Sequence, residues 1–329
     1  MARCNSNDTL LRAFSMAKSD PLNGKLVVLM GGTGFLGNYV AQALLERGAR
    51  LRVAGRHPEK AMNLKPLANL GQIQFVRCDV LKEASVAAVV EGADAVVNLV
   101  GSFDGNLMEL MGEASGRIAR LAKETGAQAF VQISAIGADG GSETEYAQAK
   151  ALGEQLVKDH FPKATILRPS IVFGKDDNFI NMFAGLIQAL PILPVFAPES
   201  KLQLVYVDDV AEAAVVALSD PAKHGGKTYE LGGPEQLTMM EINERIAAAQ
   251  QRSRTFLPMP DAISGIFAAL PLTPMDSDQW TLLKKGSVVS KGAAGFSKLG
   301  IEPKPLSLYL DRWMTPYRKH GRFTIPSKG

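Results

Sequence analysis

A glycine-spaced turn directly behind a short apolar run constrains this chain more than any other feature. The run ends at Leu29-Met30, and Gly31-Gly32-Thr33-Gly34-Phe35-Leu36-Gly37 follows. From Phe35 onward, Leu36, Val40, Ala43 and Leu44 recur at helical spacing until Gly48 stops the pattern. Strand, glycine turn and helix in that order predict a phosphate cradle. Gly31 permits the tight turn, Gly34 lets backbone approach a pyrophosphate, and Gly37 lets the helix pack closely on a sheet. The helix amino terminus presents free N–H groups and a partial positive charge, so Thr33, Phe35 and Leu36 join the three glycines as cofactor-binding candidates.

The rest of the first half repeats the alternation. Strands are expected at 25–30, 51–54, 73–76, 95–100, 129–133 and 164–167, with helical stretches near 82–91 and 107–124. Such alternation predicts an α/β fold of Rossmann type: a doubly wound parallel sheet, helices on both faces, right-handed crossovers. Beyond Arg168-Pro169 the pattern loosens. Prolines cluster at 191–198 and recur at Pro258, Pro260, Pro271 and Pro274, among short strands (202–207, 229–231) and helices (209–218, 239–249). The expected organisation is a leader over 1–24, expected to be disordered, and a dinucleotide-binding domain over 25–174 with contributions from about 202–231. A smaller, partly interleaved α/β cap or partner region then runs over 175–329.

Composition excludes several classes. A net charge of +3 over 329 residues argues against nucleic-acid binding. Cys4 and Cys78 are far apart and read as free thiols, and His57, His160, His224 and His320 do not cluster, so no metal is expected. No stretch reaches the roughly 18 apolar residues of a membrane span. The first 24 residues mix Arg3, Arg12 and Lys18 with Asp8 and Asp20, a poor match to a transit peptide.

The end of the second strand selects the nucleotide. NAD-specific sites place an acid there to accept from the ribose 2′-hydroxyl. This chain has Arg52-Val53-Ala54-Gly55-Arg56-His57 instead. Arg56 is placed to hold a 2′-phosphate by a charge-assisted bond, with Arg52 as second candidate, which favours NADP(H) over NAD(H). A solvated loop arginine is the open alternative. Tyr146 and Lys150 stand at i and i+4 on one helix face, and Ser134 ends the preceding strand twelve positions before Tyr146.

The G-x-x-G-x-x-G spacing resembles the extended short-chain dehydrogenase/reductase family, the NAD-dependent epimerase/dehydratase group. That resemblance implies that Ser134, Tyr146 and Lys150 form a catalytic set. The Tyr hydroxyl gives or takes the substrate proton, the ammonium favours tyrosinate and holds the nicotinamide ribose, and the Ser orients a carbonyl. It also implies that Asp79, with Val80, lies beside the adenine, and that Leu99, Val100 and Gly101 at the fourth strand's end run beneath the cofactor. Pro169 opens Arg168-Pro169-Ser170-Ile171-Val172-Phe173-Gly174, which resembles the family's turn toward the substrate cleft. A turn aspartate remains the alternative for Asp79. For the set at 134–150, the alternative is that Tyr146 packs and Lys150 binds ribose without chemistry.

About residues 25–325 resemble one branch more closely, the nucleotide-binding accessory subunits of respiratory complex I and their bacterial relatives. Beyond the glycine turn and the Arg168–Gly174 segment, the resemblance rests on Val205-Tyr206-Val207-Asp208-Asp209-Val210. It also rests on Asp278-Gln279-Trp280-Thr281-Leu282-Leu283-Lys284 and the tail around 317–323. It implies an NADPH held structurally, complex I subunits or the membrane surface as partners, and a cytoplasmic or matrix place on the inner face of a respiratory membrane. The alternatives are a free NADP-dependent reductase or sugar-nucleotide epimerase/dehydratase using Ser134, Tyr146 and Lys150, and an NADPH-binding redox sensor. Arg56 argues against an epimerase, which would favour NAD. Apolar spacing at Phe179, Met182, Phe183, Leu186 and Ile187, and at Ile263, Ile266, Phe267 and Leu270, reads as cap core or as a docking face. Arg312, Arg318, Lys319 and Arg322 around Trp313, Tyr317 and Phe323 read as surface packing or as a lipid-facing edge.

Overall fold

The computed structural model describes residues 20–260 and 277–319. The first strands are β1 (Leu26–Met30), β2 (Arg50–Gly55), β3 (Ile73–Arg77), β4 (Ala95–Asn98), β5 (Ala129–Ile133) and β6 (Thr165–Pro169). Shorter ones follow: β7 (Val172–Phe173), β8 (Ile192–Val195), β9 (Lys201–Leu202), β10 (Val205–Tyr206), β11 (Thr228–Leu231), β12 (Leu237–Thr238) and β13 (Thr255–Pro258). Seven of them form one parallel sheet in the order β11-β6-β5-β4-β1-β2-β3. The chain is a Rossmann-type α/β protein, and the order reverses between β1 and β4, which opens a crevice at the carboxyl ends of those two strands.

β1 is buried at every position from Val27 to Met30, as a run covered on both faces must be. On one face the Phe35–Glu46 helix buries Gly37, Val40, Ala41, Leu44 and Leu45, the i, i+3, i+4, i+7, i+8 stripe, and packs beside the Val207–Ser219 helix. Gly48 takes the left-handed conformation (φ 77°) that ends this helix. On the other face, Val86, Val89, Ile118, Ala122 and Val157 cover Val28, Met30 and Val96. A further core joins the Phe179–Ala189, Met239–Ala249, Ser277–Lys285 and Ser307–Trp313 helices through Ile180, Ile187, Ile242, Trp280 and Leu310. Leu36 and Tyr39, on the helix behind the glycine turn, touch both this core and the sheet core.

Three expected elements differ. The fourth strand stops at Asn98 rather than 100, because Asn98 Oδ1 accepts the Val100 N–H while its Nδ2 donates to Ser115 and Gln132, which turns the chain. The helix expected over 107–124 opens as a π-turn, Met108–Glu113, before the α-helix Ala114–Glu124. The strand expected over 202–207 is two short pieces, since Val207 already begins a helix with Asp208 and Asp209 in its first turn.

The helix at Phe179–Ala189 buries Ile180, Ala184 and Ile187, and packs Phe179, Phe183 and Leu186 against the same core. Trp313 and Tyr317 also pack inward, and Arg318 donates to the Ala249 carbonyl at 2.9 Å. Most of the 1–24 leader, Cys4, Ile263, Ile266, Phe267, Leu270, His320, Arg322 and Phe323 lie outside the described residues. Among the described residues no helix is long and apolar enough to cross a membrane, and no group of His, Cys, Asp or Glu could hold a metal.

Candidate dinucleotide site

The turn between β1 and its helix is built by close backbone contacts. Gly31 has φ 76°, and a Cβ there would meet Val100 N at 3.1 Å and Leu99 C at 3.2 Å. A Cβ on Gly37 would reach the Gly32 carbonyl oxygen at 2.6 Å, so helix and turn pack in direct contact. Gly34 is different: a Cβ there would meet only the Gly31 oxygen, at 3.6 Å. The fold itself therefore does not require a glycine at 34, whereas a phosphate lying against that backbone would. The helix N-cap, Gly34, has no side-chain cap, and the first intrahelical bond is Asn38 N–H to Gly34 C=O at 3.1 Å. The amides of Phe35, Leu36 and Gly37 precede it and remain available to an anion. Residues of this turn thus fit a pyrophosphate.

Thr33 leans on Gly55, where a Cβ would meet Thr33 Oγ1 at 2.7 Å, which brings the turn against the end of β2. Arg56 follows Gly55 directly, is exposed and has no side-chain partner among the described residues. Arg52 is committed elsewhere, donating to the Val89 and Glu91 carbonyls at 2.6 and 2.8 Å and to Gln74. Asp79 accepts from the Leu81 N–H at 3.2 Å and pairs with Lys82 at 3.8 Å, the bonding of a turn aspartate, while Val80 C=O accepts from Arg117 at 2.8 Å. Leu99 N–H donates to the Met30 carbonyl at 2.8 Å, so Leu99, Val100 and Gly101 run beside the glycine turn at the sheet's reversal.

The Glu145–His160 helix carries Tyr146 and Lys150 to the same crevice. Lys150 is buried, and its Nζ donates to the Val100 and Ile133 carbonyls at 3.3 and 3.4 Å. Burial pushes its ammonium down to about 8, against an opposing pull from Glu154. The Nζ lies 5.8 Å from the Tyr146 ring centroid. Burial pushes the Tyr146 phenol up to about 12, so it is held as a proton donor rather than as tyrosinate. Ser134 Oγ is buried with no hydrogen-bond partner among the described residues, and Tyr146 OH makes no hydrogen bond there either. Lys150 thus links the Tyr146 ring to the Ile133 carbonyl, next in the chain to Ser134, and among the described residues neither hydroxyl is engaged. Pro169 ends β6 beside β11, and its carbonyl accepts the Ile136 N–H at 3.0 Å.

One residue that the sequence reading missed faces this set. Phe103 stacks on Tyr146, with ring centroids 4.5 Å apart and planes 13° from parallel. It also lines a cavity of about 460 Å³ with Leu107, Glu143, Gln148 and Asp278. Asp278 closes one edge by accepting the Glu145 N–H at 3.0 Å. Phe103 carries no periodic or motif signal; its place two residues beyond Gly101 is the only pointer.

Comparison with known proteins agrees with this geometry. The NAD dependent epimerase/dehydratase family matches residues 27–232. A mitochondrial protein of Arabidopsis thaliana, NADH dehydrogenase [ubiquinone] 1 alpha subcomplex subunit 9, is 32% identical over 320 residues, covering 91% of this chain and 80% of that protein. Among solved structures, the epimerase Mth375 of Methanothermobacter thermautotrophicus superposes with a TM-score of 0.71 at 18% identity, covering 92% of this chain and 96% of that one. The NADPH complex of the quinone oxidoreductase QOR2 of Escherichia coli superposes with a TM-score of 0.70 at 21% identity, covering 87% and 99%. The match spans the strand and glycine turn that build the crevice, and it ends just after β11, the last strand of the sheet. The chain belongs to the NAD dependent epimerase/dehydratase family.

Proposed function

We propose that this chain is an NADP(H)-binding accessory or assembly protein of the respiratory NADH:quinone oxidoreductase, holding its cofactor structurally. The observation that carries the cofactor half is Gly34, a turn position the fold leaves open on the side where a pyrophosphate would lie. Thr33, Phe35, Leu36 and Gly37 would hold the diphosphate through backbone amides, on the tight turn that Gly31 permits, its own amide being donated to the Ala54 carbonyl at 2.9 Å. Arg56, exposed and without a partner among the described residues, would take the 2′-phosphate, which favours NADP(H) over NAD(H). Asp79 and Val80 would border the adenine, Leu99, Val100 and Gly101 the middle of the cofactor, and Lys150 and Pro169 the nicotinamide end. The partner half is supported by likeness over 91% of the chain to a subunit of mitochondrial NADH dehydrogenase, well past the family match at residue 232. Its place would then be the inner face of a respiratory membrane.

A second reading is a working NADP-dependent reductase using Ser134, Tyr146 and Lys150. The unengaged hydroxyl of Ser134 favours it, since a buried polar atom without a partner is costly and points to a polar ligand.

One preparation tests the first reading. Membranes of the producing cell are solubilised mildly and resolved on a native gel, and the chain is followed by immunodetection and its bound nucleotide by fluorescence. Comigration with NADH:quinone oxidoreductase activity, with NADPH retained, is expected. A chain that migrates alone sinks the partner half, and a chain that carries no NADPH and binds none in titration sinks the cofactor half.

A further inference from the structure

We infer that Phe103 is the residue that withholds carbonyl substrates from Tyr146, and that without its ring the chain is a reductase. This rests on the cofactor reading above and goes beyond it. Stacked rings at 4.5 Å are at the near limit for aromatic contact, so nothing fits between Phe103 and Tyr146. Phe103 is nonetheless 44% exposed and belongs to none of the hydrophobic cores, whereas Tyr146 packs on Leu107, Met111 and Ala149. An exposed aromatic laid on a reactive phenol is not explained by core packing. The loop that carries it is braced: Ser102 Oγ accepts from Asp104 N–H at 3.0 Å and donates to its carbonyl at 3.1 Å, and Gly105 turns the chain with φ 88°.

The same ring walls the cavity formed with Leu107 and Gln148. The chemistry needed to reduce a carbonyl is otherwise assembled. Lys150 Nζ is fixed 5.8 Å from the Tyr146 ring centroid, and Ser134 Oγ has no partner among the described residues. Phe103 and Leu107 give the cavity one apolar side, while Glu143, Glu145, Gln148 and Asp278 make the rest polar, which suits a small polar aldehyde, ketone or quinone. In the reduction the carbonyl carbon gains a hydride from bound NADPH, the C=O π pair moves to oxygen, and that oxygen takes the Tyr146 hydroxyl proton. NADP⁺ and an alcohol result, and Tyr146 regains its proton from solvent.

The test compares the unaltered full chain with Phe103→Ala, Phe103→Leu and Phe103→Ala/Tyr146→Phe. NADPH oxidation is followed with benzaldehyde and 9,10-phenanthrenequinone as probes. Phe103→Ala is expected to raise the rate by about 100-fold, the lower end of what a positioned general acid contributes. Phe103→Leu is expected to raise it less, and the double variant to return it to the starting level. A second readout needs no cofactor. In ultraviolet titration, taken as the difference from Tyr146→Phe, the Tyr146 phenol of Phe103→Ala should ionise closer to the ordinary value of about 10. If Phe103→Ala and Phe103→Leu bind NADPH but gain no rate, or if the gain survives loss of the Tyr146 hydroxyl, the inference is overturned while the cofactor reading stands. An unmoved phenol titration overturns it as well. Failure of the unaltered chain to bind NADPH overturns the cofactor reading itself and takes this inference with it.

Discussion

Arg168 grips Glu154 with both arms of its guanidinium, Nε to Oε1 at 2.7 Å and Nη2 to Oε2 at 2.8 Å. Only 4% of the Glu154 side chain is exposed, and it stands one helical turn beyond Lys150. Arg168 therefore ties the end of β6 to the helix that carries Tyr146 and Lys150, and it keeps a buried carboxylate neutralised beside the site. Lys158, at 3.5 Å from Glu154, is a weaker second partner.

Removing the guanidinium leaves that carboxylate underpaired. Arg168→Ala should lower the unfolding free energy by about 3 kcal/mol, the scale for breaking a buried ion pair. Arg168→Lys should recover only part, because an ammonium cannot make the two parallel bonds. Urea midpoints of the three proteins measure this. Equal midpoints would show that Lys158 suffices.

The glycines of the turn separate binding from folding. Gly34→Val should abolish NADPH binding while changing stability by about 1 kcal/mol, the scale of replacing a favoured helix-capping residue by a β-branched one, since a Cβ there meets only one backbone oxygen of the protein. Gly37→Ala should do the reverse, costing about 1–3 kcal/mol of stability because its Cβ runs into the Gly32 carbonyl. Fluorescence titration paired with thermal melts distinguishes them. Full NADPH affinity in Gly34→Val would place the pyrophosphate elsewhere.

Arg56 should read the 2′ position alone. Arg56→Ala is expected to weaken NADPH by about 10- to 100-fold, the loss of one hydrogen bond to a charged group, and NADH by about twofold at most. Its melting temperature should not move, because the side chain has no partner among the described residues. Equal losses for the two nucleotides would remove the structural basis for preferring NADP(H).

How far the sequence disclosed this site depends on whether its geometry is local. The positive φ of Gly31 and the close approach of Gly37 to Gly32 are fixed within seven residues of chain, so glycine spacing reports them directly. The sheet was legible because strands buried on both faces must be apolar throughout, as Val27 to Met30 are. The π-turn at Met108–Glu113 was not, because it depends on a neighbouring helix: Leu152 and Leu156 press against Gly112 and Gly116, residues forty positions earlier. Phe103 on Tyr146, and Asp278 on the Glu145 amide, join segments that share no periodicity, so no pattern in the chain could have paired them.

Lys150 carries a pH dependence whose sign is opposite to that of a stabilising salt bridge. Burial holds its ammonium near 8, while in the unfolded chain it keeps its proton to about its ordinary 10.5. Between those limits the unfolded state binds one more proton than the folded state, so the free energy of unfolding rises with pH. Below about 8 both states are protonated, the slope vanishes, and the full cost of burying the charge is present. Lys150→Met removes the titrating group while keeping a long side chain in the crevice. The unaltered protein should therefore gain about 2 kcal/mol relative to Lys150→Met between pH 7.5 and 9.5, at about 1.4 kcal/mol per unit above the folded pKa. Urea unfolding of both proteins at three pH values gives the difference directly. A flat difference would mean that the Val100 and Ile133 carbonyls, with Glu154, hold the proton in place against burial.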